Sequence, residues 1–233
     1  MQDNFIHILC TRPLPETLVE TAAQAGIKID ISPFIETESI LTEQVQQEIE
    51  QVSLQSVPVV FTSMNAVDAI AVFLDGRQPD WEIYSIGTAT GRLVKEYFGE
   101  ARMAGTANDA ASLAGVIAKA ANIDEVVFFC GDQRREELPG ILKEHEIAVN
   151  EIVVYQTVAL PHKIEKHYHG ILFFSPSAVQ SFFQKNKSLP DSILFAIGNT
   201  TATEIKKFAS NKVVTSDEPG KENLVYKMIE YFS

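Results

Sequence analysis

The feature that most constrains this chain is that it repeats itself. VVFTSMNAVDAIAVFL, starting at Val59, aligns without a gap on ILFFSPSAVQSFFQKN, starting at Ile171. Ser63 falls on Ser175, Ala66 on Ala178 and Val67 on Val179, an offset of 112. YSIGTATGRLVKEYF from Tyr84 aligns on FAIGNTTATEIKKF from Phe195, placing Gly87 on Gly198 and Thr90 on Thr201, an offset of 111. A weaker match sets HILCTRPLPETLVETAAQAGIKI from His7 on FFCGDQRREELPGILKEHEIAV from Phe128, with Cys10 on Cys130 and Ile27 on Ile147. Internal repetition at such a period means a duplicated structural unit. The three matches agree only if one copy is split around the other.

Short β-rich runs alternate with helical patterns throughout. The inner copy predicts strands near 57–61, 82–86, 101–104, 126–130 and 148–154, with helices near 64–74, 89–98, 109–121 and 134–144. The split copy predicts strands near 5–10, 27–32, 171–174, 193–197 and 212–215, with helices near 15–25, 177–185, 201–209 and 221–231. Strand–helix alternation gives parallel sheets covered on both faces, with right-handed crossovers. The expected architecture is therefore two similar five-stranded parallel α/β domains. One is discontinuous, 1–35 with 158–233, and the other, 36–157, is inserted into it. The chain crosses twice, near Ser32–Glu38 and Tyr155–Pro161, which predicts a two-stranded β hinge. Thr37–Leu54, rich in Glu and Gln, reads as a helix of the inserted domain.

Composition narrows the function classes. Nineteen Lys and Arg against 31 Asp and Glu give a net charge of −12, a poor basis for binding nucleic acid or an anionic membrane. Mean hydropathy is +0.02 and no apolar run reaches about 18 residues, so no membrane span is expected. MQDNFIHILC lacks a basic stretch before an apolar one, so no signal peptide is expected and the cytoplasm is the expected compartment. Cys10 and Cys130 both end strand-like runs and build no disulfide framework. His162, His167 and His169 lack a metal-ligand spacing and read as solvated loop residues. There is no GxxxxGK[ST], GxGxxG or GxSxG motif.

A small anion remains possible, because main-chain N–H groups at helix starts bind anions without net positive charge. In open parallel sheets, ligands sit beyond the carboxyl ends of the strands. Thr62-Ser63, Gly87-Thr88, Ser175 and Gly198-Asn199-Thr200 each follow a strand and open a helix. Singly, such residues read as ordinary caps. Together they suit four helix starts facing a shared cleft. Arg12 and Arg134-Arg135 follow matching strands, where arginine either holds a carboxylate or pairs with Glu16, Glu136 or Glu137. Tyr155, in VVYQT, stands where the chain leaves one domain, either facing the cleft or packing the hinge. These residues describe a two-lobed binder of a multiply anionic small molecule, and by themselves no reaction.

TRP near the start, FTSMNAV, SIGTAT, Gly131 to Arg135, VVYQT, FFSPSAV and AIGNTTA, in that order, resemble the uroporphyrinogen-III synthase family. The resemblance spans essentially the whole chain. It implies closure of hydroxymethylbilane, a linear tetrapyrrole with eight carboxylates, to uroporphyrinogen III, with inversion of ring D and loss of water. It implies no metal or organic cofactor. A hinge that must open is compatible with a monomer, and the expected partners are the substrate and, transiently, the preceding pathway enzyme. Tyr155 matches the family tyrosine proposed to assist departure of the hydroxyl. The candidate substrate-binding set is Arg12, Thr62, Ser63, Asn65, Gly87, Thr88, Thr90, Gly131, Arg134, Ser175, Ser177, Gly198, Thr200 and Thr201. Phe174 stands where the family often has threonine. A non-catalytic two-lobed sensor of an anionic small molecule is the competing reading.

Overall fold

The computed structural model describes residues 5–120, 122–187, 189–218 and 220–233. In chain order the elements begin β1 (Ile6–Cys10), α1 (Glu16–Gln24), β2 (Ile27–Ile31), β3 (Ile35–Ser39), α2 (Glu43–Ser53), β4 (Pro58–Phe61) and α3 (Met64–Leu74). There follow β5 (Glu82–Ile86), α4 (Thr88–Phe98), β6 (Met103–Ala107), α5 (Ala110–Lys119), β7 (Glu125–Gly131), α6 (Glu137–Glu144) and β8 (Ala148–Ala159). The remainder is β9 (Gly170–Phe173), α7 (Pro176–Phe183), β10 (Ile193–Ala196), α8 (Asn199–Ile205), β11 (Val213–Thr215) and α9 (Lys221–Phe232).

Two compact units result. Unit 1 holds the described residues through Glu36 together with Val158–Ser233, and unit 2 is Thr37–Thr157. The chain passes from one to the other inside β3 and inside β8. Unit 1 carries a five-stranded sheet in the order β11-β10-β9-β1-β2, its neighbours parallel. The other sheet has six strands, β3-β8-β7-β4-β5-β6, with β8 to β6 parallel in succession.

The period-2 alternation of each strand sends neighbouring residues to opposite faces, and helices cover both. In β4, Val59 and Phe61 join one apolar cluster with Ile70, Trp81 and Phe129, while Val60 joins another with Leu113, Phe128 and Leu142. In β1, Ile8 and Cys10 face Leu18 and Leu224, while Leu9 faces Phe173, Phe182 and Ile205. Helices pack in pairs on these faces, α3 on α4 and α5 on α6 in unit 2, α1 on α9 and α7 on α8 in unit 1.

Three expectations need correction. The sheet of the inner copy has a sixth strand, β3, where a helix from Thr37 was expected, and that helix begins only at Glu43. Thr42 ends the extended stretch by capping α2, its hydroxyl accepting from the Val45 amide at 3.3 Å. The helix expected from residue 134 begins at Glu137, which leaves 132–136 as a loop beyond β7. Strand β8 runs on to Ala159 rather than stopping near 154.

Candidate active site

All the parallel strands of unit 2 present their carboxyl ends at one edge of the sheet, and a cavity of about 420 Å³ lies there. It is lined by Thr62 and Ser63 after β4, Asn108 and Asp109 after β6, Gly131, Arg134 and Arg135 after β7, and Tyr155 on β8. Thr62, Ser63, Gly131, Arg134 and Tyr155 are thus brought together within unit 2.

Ser63 is there because it caps α3: its backbone is extended and its Oγ accepts from the Asn65 amide at 3.2 Å. The same Oγ accepts a hydrogen bond from the Tyr155 hydroxyl at 3.1 Å. Asn65 itself is exposed, its side chain reaching Thr37 Oγ1 at 3.5 Å. The placement of Tyr155 depends on a ladder irregularity. Strands β7 and β8 pair in register as far as Cys130 with Val153, and then Gly131 pairs with Tyr155, passing over Val154. Such a bulge re-aims the side chains on its strand. A Cβ on Gly131 would stand 2.3 Å from Tyr155 Cζ and 2.7 Å from its hydroxyl oxygen, so only glycine admits the ring there. The Asp132 amide donates to the Tyr155 carbonyl at 3.1 Å, and the Asp132 carboxylate accepts from the Thr157 amide at 3.0 Å, fixing the following loop to β8.

The charges around the cavity are unequally committed. Arg134 pairs with Glu151 on β8 and with Glu136 at 2.7 Å, and hydrogen bonding to Glu151 foremost holds its guanidinium well above the usual arginine range. It makes both ion pairs within the protein while still lining the cavity. Asp109 caps α5, accepting from the Ser112 amide at 2.7 Å and the Ser112 hydroxyl at 2.9 Å, which holds its carboxyl below the usual value. Among the described residues Arg135 forms no ion pair, and sequence reasoning left its role open between ligand and ion pair. Asn108 and Asp109 were missed, although they follow β6 as Thr62-Ser63 follow β4.

A second cavity of about 330 Å³ is lined by Gly87, Thr88, Arg92, Thr106 and again Asn108. Gly87 opens α4 with φ 82° and ψ 149°, a region almost confined to glycine, and leaves the helix start without a side-chain cap. Thr88 is exposed there.

In unit 1 the matching corners differ. Ser175 caps α7, accepting from the Ala178 amide at 3.2 Å, with Pro176 in the first turn and Ser177 half-buried beside it. Gly198 has φ −176°, extended backbone open to any residue, so the conformational demand seen at Gly87 is not repeated. Thr200 is exposed, whereas Thr201 and its counterpart Thr90 are 3% and 6% exposed and face the interior, leaving little of either for a ligand. Phe174 is buried, with the Arg12 guanidinium 5.7 Å from its ring centroid. Thr11, the counterpart of Gly131, is fully buried and its hydroxyl donates to the Leu172 carbonyl at 2.8 Å.

Burial pushes the Cys10 thiol up to about 12 and the Cys130 thiol up to about 11, so neither is a nucleophile near neutral pH. His162 and His169 are not solvated as expected. His162 stacks 4.0 Å from Phe34 and meets Ser32 Oγ at 2.7 Å, and His169 Nδ1 accepts from the His7 amide at 3.0 Å. Among the described residues no three His, Cys, Asp or Glu gather into a metal site, and no helix is long and apolar enough to cross a membrane.

Known proteins share this arrangement. The uroporphyrinogen-III synthetase from Helicobacter pylori superposes with a TM-score of 0.68 at 17% identity, covering 97% of this chain and 100% of the other. A mutant uroporphyrinogen III synthase from Thermus thermophilus superposes with a TM-score of 0.65 at 15% identity, over 97% of each chain. At such identities the likeness speaks for the fold. The family model for uroporphyrinogen-III synthase HemD matches residues 16–226. That span takes in the paired Ser caps, the glycine corners and the tyrosine strand, and with it the chain belongs to the uroporphyrinogen-III synthase family.

Proposed function

We propose that this protein closes hydroxymethylbilane to uroporphyrinogen III, inverting ring D with loss of water. The observation that carries the reading is the family match over residues 16–226, joined to a cavity in which a tyrosine hydroxyl and a helix-capping serine stand 3.1 Å apart.

The chemistry asks for two things. The hydroxyl on the terminal methylene must depart, leaving an azafulvene-like cation. The flexible tetrapyrrole must then be held so that ring D attacks through its substituted carbon, giving a spiro intermediate, because closure without such control yields the uninverted isomer. Orientation of this kind is a major source of rate enhancement. The substrate's eight carboxylates suit a protein whose helix starts are exposed to ligand: main-chain amides at Ser63, Thr88, Ser175 and Thr200 supply donors without a cluster of lysines. Each such terminus favours a carboxylate by about 0.3–1 kcal/mol through the helix dipole, and more through direct hydrogen bonds.

In this reading Tyr155 protonates the leaving hydroxyl. Its O–H now points to Ser63 Oγ and is redirected to the substrate when that oxygen arrives. Tyr155→Phe removes the proton donor and spares the ring that rests on Gly131. Turnover to the type III isomer is expected to fall by on the order of 10²-fold with the urea midpoint essentially kept. Wild-type turnover in that variant would remove Tyr155 from the mechanism.

A further inference from the structure

Several cations of this acidic protein pair with carboxylates: Arg77 with Glu50, Lys95 with Glu100, Arg102 with Asp80, Arg134 with Glu151 and Lys227 with Asp217. Of the unit 1 cations without an ion pair among the described residues, Arg12 and Lys221 are half-buried and the others are exposed. Arg12 follows β1 and Lys221 opens α9, and among the described residues neither forms an ion pair. Helices α1 and α9 pack on each other, and Leu14, Phe174 and Leu224 share one apolar cluster, so the loop bearing Arg12 lies beside the first turn of α9. Arg12 is held at its side chain and at its backbone, and one of its donors is left unsatisfied. Its guanidinium sits over the Phe174 ring, its carbonyl accepts from the Cys10 thiol at 3.0 Å, and its Nε is buried with no acceptor. Burial draws both cations below their usual values, and the Arg12 charge draws Lys221 down further, against an opposing pull from neighbouring Glu222.

A buried donor without an acceptor costs free energy, and two like charges in partial shelter repel each other. With 31 acidic residues in the chain, a carboxylate partner from the protein was easy to provide, and among the described residues none forms an ion pair with either cation. An anion from outside that meets the accessible part of the Arg12 guanidinium and the Lys221 ammonium, both half-buried, neutralises both charges. We propose that Arg12 and Lys221 together form a subsite for one carboxylate side chain of the tetrapyrrole. The ligand's identity rests on the function proposed above; the two-cation anion site does not. Lys221 lies outside every motif of the repeat, so no pattern in the sequence singles it out.

The test uses the whole protein and its Lys221→Gln and Lys221→Arg variants. The first readout is KM and kcat for hydroxymethylbilane. The second is the affinity for uroporphyrin, a stable octacarboxylate, beside its neutral octamethyl ester. Loss of one charge-assisted bond is expected to raise KM and weaken uroporphyrin binding by about tenfold or more in Lys221→Gln, with a smaller effect on kcat and recovery in Lys221→Arg. Binding of the ester is expected to be the same in all three proteins. The urea midpoint of ligand-free Lys221→Gln should equal or exceed that of wild type, because a repulsion has been removed. Unchanged uroporphyrin affinity in Lys221→Gln overturns the subsite, as does a lowered midpoint that Lys221→Arg fails to restore. A Lys221-dependent stabilisation by inorganic phosphate with no Lys221 dependence for uroporphyrin also overturns it. Should the wild type fail to make the type III isomer while Lys221→Gln still loses uroporphyrin, the functional reading fails and the anion site stands.

Discussion

The same strand end is built for opposite purposes in the two halves of this molecule. After β7, Gly131 leaves room for the Tyr155 ring, and Thr62 and Ser63 line an open cavity beside it. After β1, Thr11 fills the Gly131 position and binds the Leu172 carbonyl, and Phe174 fills the Thr62 position beneath Arg12. Unit 2 thus uses this corner for a hydroxyl pair, and unit 1 for a packed floor with a cation above it. A duplication fixes where a strand ends and a helix starts. One or two side chains decide whether that edge is solid or hollow.

The largest effect should come from closing the hollow. Gly131→Ala puts a methyl where the Tyr155 ring now lies, so the ring must move by about 1 Å, a displacement able to cost about 10²-fold in rate. We expect turnover per folded molecule to fall by at least that factor. A fully active Gly131→Ala variant would show that the pose of Tyr155 is irrelevant.

A smaller, signed contrast follows from the two glycine corners. Gly87→Ala forces a side chain into φ 82°, ψ 149° and should cost about 1–3 kcal/mol in urea unfolding. Gly198→Ala sits on extended backbone with nothing within 4 Å of the added Cβ. It should be neutral or stabilising, by up to about 1 kcal/mol. Equal losses at both positions would mean that the corners are equivalent after all. The smallest effect is expected at Thr11→Val, which removes the buried hydroxyl bond to Leu172 while the Thr11 amide keeps its own bond to that carbonyl at 3.2 Å. About 1 kcal/mol of stability should go, with activity per folded molecule retained. A loss of activity there would place a reacting group in unit 1.

Much of this fold was legible because duplication doubles every signal. The helix at Met64–Leu74 was read to the residue, since a serine cap precedes an apolar run and the same pattern returns at Ser175. Of strand β3 only a hinge strand near Ser32–Glu38 was legible, not its run to Ser39 or its place as a sixth strand of the sheet. IETES has one partly buried residue followed by four exposed ones, so no alternation marks it, and its Glu and Thr content matches a helix start as well. The site was legible where caps made it and hidden where register made it. Ser63 announces itself locally. The meeting of Tyr155 with Gly131 depends on a ladder that skips Val154, and the pairing of Arg134 with Glu151 joins a loop to a neighbouring strand. Neither is written in any short stretch of sequence.

Control over which carbon of ring D closes the macrocycle is the task assigned to this chain. Freshly prepared hydroxymethylbilane, incubated with the wild-type protein and oxidised for separation of the porphyrin isomers, tests it most directly. The expected product is the type III isomer, in excess over a protein-free control that yields type I. Type I alone, at the rate of that control, contradicts the assignment.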